Sequence, residues 1–89
     1  MSRKPLSIWT RLRVYINTQS RGDRVTRLTL MQEVLEPSES LATLDGYRRV
    51  LTLLNCLETV KPGTYKVLNR IPNLSSSEAK RKAYAAIGR

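Results

Sequence analysis

Arg48 and Arg49 lie side by side in a run, 43–55, whose polar residues recur on one side and whose apolar residues recur on the other. At about 100° per residue, Leu44, Tyr47, Val50, Leu51 and Leu54 share one face of a helix, while Asp45, Arg48, Arg49 and Thr52 share the opposite one. The chemistry on offer is hydrogen bonding and charge rather than bond making. Elsewhere the chain supplies little for catalysis. It has no histidine, so neither a His-based proton shuttle nor the usual zinc spacings can be built, and its single Cys56 excludes an intrachain disulfide. The Ser, Thr and Tyr hydroxyls have no evident activating base. No enzyme activity, metal or cofactor is expected.

Charge points to a polyanion. Sixteen Lys and Arg against seven Asp and Glu give a net charge of +9 in 89 residues, the electrostatic footprint of a chain that neutralises phosphates. A solubility surplus is the simple alternative, but the charge is unevenly placed. Residues 1–31 carry seven basic groups and only Asp23; residues 32–46 carry Glu33, Glu36, Glu39 and Asp45 with no basic group; the remainder carries nine basic groups against Glu58 and Glu78. No segment approaches the roughly 18 to 20 apolar residues of a membrane span, and the N-terminus lacks a signal-like apolar run. A soluble, intracellular protein is expected, cytoplasmic or nucleoid-associated, or nuclear in a eukaryotic host, without membrane contact.

These side chains need elements to hold them. Residues 1–6 read as a basic arm with Arg3 and Lys4. Ser7 caps a first helix running to about Gln19, with Ile8, Leu12, Tyr15 and Ile16 apolar and Trp9 destined for the core. After Ser20-Arg21-Gly22-Asp23, a short strand is expected over 24–28. Thr29 then caps a second helix carrying Leu30, Met31, Val34 and Leu35, which Pro37 ends. Ser38 or Ser40 caps the third helix, 41–55, where Asn55 takes the left-handed conformation at the stop. Strands over 57–60 and 64–68 pair across Pro62-Gly63, and a last helix runs from about Ser75 to Ile87. Gly46 is the misfit: inside a helix it costs up to about 1 kcal/mol relative to alanine. Either a close backbone approach or a late helix start would account for it.

This order, helix, strand, helix, turn, helix, hairpin, resembles the winged helix-turn-helix DNA-binding superfamily over residues 7–70. The run Thr-x-Asp-x-Tyr-Arg-Arg-x-Leu from Thr43, followed by Leu-Glu-Thr-Val-x-x-Gly-x-Tyr-Lys-Val from Leu57, is similar to a recognition helix and its wing. The resemblance implies a mostly α fold with a small β-hairpin: a three-helix core, a two-stranded wing, and residues 71–89 as linker and C-terminal helix. It implies double-stranded DNA as partner and a small transcriptional regulator, or a viral or mobile-element accessory factor, as the role. The third helix would enter the major groove with Ser40, Thr43, Arg48, Arg49 and Thr52. Lys61 and Lys66 on the wing, and Arg24 and Arg27 on the first strand, would meet the backbone.

Each assignment has a plainer counterpart. The arginine pair could be a solvated face, Asp45 could serve the helix N-terminus rather than a cytosine amino group, and Tyr65 is expected to pack with Val60 rather than stack on a base. The last helix aligns Ala79, Ala83, Ala86 and Ile87, a face suited to docking on the first helix or to a homodimer. A protein-interaction module using the acidic second helix or the last helix, or an RNA-binding protein, is the alternative function.

Overall fold

The computed structural model describes residues 7–87; the basic arm with Arg3 and Lys4 lies outside them. The described chain is a mixed α/β unit with element order α1 (Ile8–Asn17), β1 (Arg24–Thr26), α2 (Arg27–Val34), α3 (Leu41–Leu53), β2 (Leu57–Lys61), β3 (Thr64–Val67) and α4 (Ser76–Ile87). The strands form an antiparallel sheet in the order β1-β3-β2. The expected two-stranded wing is therefore corrected to a three-stranded sheet. Arg24, Val25 and Thr26 lie opposite Lys66, Tyr65 and Thr64, so the segment between α1 and α2 satisfies its backbone on the hairpin.

The same strand moves the start of α2. Thr26, not Thr29, is the N-cap: its extended backbone ends β1 and its hydroxyl oxygen accepts from the Thr29 amide at 3.1 Å. The Arg27 amide, one of the orphan donors of a helix start, donates to the Gly63 carbonyl at 2.9 Å. At its other end α2 stops at Val34, before Pro37 can act, because Leu35 turns extended (φ −90°, ψ 142°).

Helix α3 begins where its cap dictates, with the Ser40 hydroxyl oxygen accepting from the Ala42 and Thr43 amides. A late start is thus no explanation for Gly46, which lies inside the helix. Its end matches expectation. Asn55 adopts φ 63°, and the Asn55 and Cys56 amides reach back to the Thr52 and Leu51 carbonyls, closing a Schellman motif. At the hairpin tip Gly63 has φ 83° behind Pro62, the left-handed value that the third position of a type II turn requires. A bulge between Thr59 and Lys61 absorbs the misfit of that turn to strand twist.

The core draws Trp9, Leu12 and Ile16 from α1, Leu30 and Val34 from α2, Leu44, Val50 and Leu51 from α3, and Val25, Leu57, Tyr65 and Val67 from the sheet. Trp9 is buried, edge-on to Tyr47 with ring centroids 5.5 Å apart, and its Nε1 donates to the Leu74 carbonyl at 2.8 Å. The segment after β3 is tied down a second time. The Asn17 amide donates to the Ile71 carbonyl and accepts from the Ile71 amide, at 3.0 and 2.8 Å. Ala79 and Ala83 are fully buried, and α4 docks mainly on α3 rather than on α1. Among the described residues no helix is long and apolar enough to cross a membrane.

Candidate nucleic-acid interface

Burial of Leu44, Val50 and Leu51 turns the other side of α3 outward. Thr43 and Arg49 are exposed there, and Arg48 and Thr52 are half-buried. The structure brings Arg48, Arg49 and Thr52 together around one open depression, along with Ala42, Asp45, Gly46 and Leu53. The two arginines differ in kind. The Arg48 guanidinium lies 4.8 Å from the centroid of the Tyr65 ring, a cation–π contact that fixes it, and its Nε is buried without a hydrogen-bond partner. Arg49 stands in solvent. Thr52 turns its hydroxyl proton back to the Arg48 carbonyl at 3.1 Å, so its oxygen faces outward only as an acceptor. The Ser40 oxygen is occupied as the helix cap, leaving the hydroxyl proton as its donor.

Asp45 does not serve the helix N-terminus as expected. It lies beyond the first turn of α3, and its carboxylate takes two hydrogen bonds from Arg27, Nε at 3.2 Å and Nη2 at 2.8 Å. That guanidinium holds the carboxyl below its usual range, against the opposing effect of burial, with Arg48 adding to the pull. Arg27, expected to meet the phosphate backbone, is here the ion-pair partner of Asp45. Glu39, just ahead of α3, is compensated in the same manner: Arg11 Nη2 meets it at 2.6 Å, and its other oxygen accepts from the Glu36 amide. The acids beside this face are thus matched by cations.

The strand cations are divided. Lys61 is exposed beside the hairpin tip. Arg24 and Lys66 are cross-strand neighbours, with Glu58 on the far side of Lys66. Because Val25, Tyr65 and Val67 point into the core, the alternation of a strand puts Arg24 and Lys66 on the opposite face of the sheet. They do not join the α3 cluster. Tyr65 packs, as expected, but not with Val60: its neighbours across the sheet are Val25 and Thr59, and Val60 is left exposed.

Two residues of α4 belong to the surface and were missed. Lys80 and Tyr84 line a second depression with Ala42, Thr43, Gly46 and Tyr47, and Lys80 Nζ sits 5.2 Å from the Tyr47 ring centroid. The signal was their i, i+4 spacing on the flank of Ala79 and Ala83. Arg21 and Arg70 also share a cleft, between the end of α1 and the exit of β3. Among the described residues no group of three or more Cys, Asp or Glu could hold a metal ion. Compared with known proteins, the chain matches no family model, no curated protein and no solved structure.

Proposed function

We propose that this chain is a winged-helix protein that binds double-stranded DNA with sequence preference, as a small regulator or accessory factor. The element order supports the winged-helix reading: β1 enters between α1 and α2 and pairs with β3, and the hairpin follows directly on α3. The observation that carries the functional reading is the outward side of α3. It offers Arg48 and Arg49 for base edges and Thr43 and Ser40 for phosphates, while its sole acid, Asp45, is locked to Arg27. A duplex would meet donors and cations there, not an uncompensated carboxylate. Lys61 extends the cationic surface to the wing tip, and the +9 charge steers the encounter.

Titration of labelled duplex over a salt series tests the proposal. Log affinity should fall against log salt with a slope of about −0.9 for each neutralised phosphate. Absence of binding at low salt, or a flat response, overturns it. Selection from a random duplex pool then separates reading from holding, since an enriched motif is expected of a helix that reads base edges.

A further inference from the structure

Gly46 has no reason to be glycine within the fold. It lies in the middle of α3, its φ is not in the left-handed region, and a Cβ built on it meets nothing within 4 Å. Neither turn geometry nor packing calls for it, yet glycine weakens a helix that alanine would strengthen. Two depressions meet at this residue, one carrying Arg48 and Arg49 and the other Lys80 and Tyr84. The bare backbone therefore lies between cations, and the one acid nearby is held by Arg27.

We infer that α3 and α4 together form a seat for a single sugar–phosphate backbone, which passes over Gly46 at the close range that only a missing side chain allows, with Lys80 on one flank as its phosphate contact and Arg49 on the other, reaching past it to the base edges. The inference rests on the DNA-binding reading and gives α4 a part in it. Charge selects the occupant. A polyanion matches the flanking cations, and a single backbone is the part of a duplex narrow enough to lie along the flank of α3 that faces α4, beside the side offered to base edges. Lys80, steadied over the Tyr47 ring, is fixed as a phosphate contact rather than free to sweep solvent.

The test compares Gly46→Ala, Gly46→Leu, Lys80→Ala and the charge-matched control Lys82→Ala with the unaltered protein in duplex titrations and thermal melts. Lys82 lines a different surface, near Leu54 and Pro72. Gly46→Ala should raise Tm by roughly 4 to 8 °C and at the same time weaken duplex binding on the order of tenfold, with Gly46→Leu weaker again. Lys80→Ala should reduce the salt slope by about 0.9 and lose more affinity than Lys82→Ala. If both Gly46 variants bind as tightly as the unaltered protein, or the two lysine variants are equivalent, the seat is overturned while DNA binding stands. If the unaltered protein binds no duplex at low salt, the DNA-binding reading fails and the seat falls with it.

Discussion

Adjacent arginines on one helix need not do the same work. Arg49 is exposed with no ring beneath it, whereas Arg48 is partly held by Tyr65, so under the proposed DNA-binding function Arg49 is the better candidate for base contact. Arg49→Ala should therefore leave stability within about 0.5 kcal/mol and flatten discrimination among single-base variants of the preferred site by about 1 to 3 kcal/mol. Arg48→Ala should also lower stability, by about 0.5 to 1 kcal/mol for the lost cation–π contact. Melting curves beside affinities for variant duplexes separate the two. The Arg27–Asp45 pair makes a pH prediction whose sign follows from the carboxyl. Asp45 is held below its ordinary value, first by the hydrogen bond from Arg27, so the pair's stabilisation is complete above the unfolded-state value, about 3.9, and disappears as pH falls through the lowered one. The gap in Tm between the unaltered protein and Asp45→Asn should close on acidification below pH about 4; a gap that persists unchanged would mean that the pair's charge contributes nothing. From sequence, Arg27 and Asp45 read as separate features because they are 18 positions apart, on two helices whose relative placement is decided by tertiary packing.

At the scale of elements, α1 and α4 communicate through the segment between β3 and α4. Asn17→Ala would leave both the amide and the carbonyl of Ile71 without their partner, at a cost of about 1 to 3 kcal/mol. Truncation after Leu74 would uncover the surface that Ala79 and Ala83 seal. Chemical denaturation should show the first as a lowered midpoint at constant slope and the second as a larger loss; an unchanged midpoint in Asn17→Ala would mean that water replaces the amide without penalty. Local chemistry made α1, α3 and the hairpin legible: Ser7 and Ser40 as caps, Asn55 as a stop, and the Leu44–Val50–Leu51 periodicity all act within a few residues of the boundary they set. The short strand was legible as well, over 24–28 against the observed 24–26, but its pairing with β3 and the true cap of α2 were not. Residues 24–26 become a strand because β3 is there to pair with, and Thr26 becomes a cap because that pairing ends beside it. The docking of α4 on α3 is likewise decided by distant surface, since an alanine face fits any helix that offers a groove. The candidate interface divides along the same line. Arg48 and Arg49 announce themselves by spacing, whereas Lys80 and Tyr84 join them only through that docking.

Taken whole, the molecule holds its single thiol at the edge of the core, buried beside a cleft lined by Asn69, Arg70 and Pro72. Cys56 follows the end of α3, is buried, and its thiol is pushed up by that burial. A thiol reagent at mildly alkaline pH should label the native protein slowly and the unfolded protein at once, with the native rate climbing as denaturant is added. Immediate labelling without denaturant would show that the end of α3 opens independently of the rest. The hydrogen bond from the Arg27 amide to the Gly63 carbonyl bears on how the molecule meets a partner. With β1 paired along one edge of β3 and the tip fastened to α2, the hairpin is braced at its side and at its end, and it has no folding left to do when a ligand arrives. Ordering a loose segment on binding would appear in calorimetry as a large negative heat-capacity change and an entropic penalty. Association here should carry little of either, so that the enthalpy of complex formation stays nearly constant with temperature.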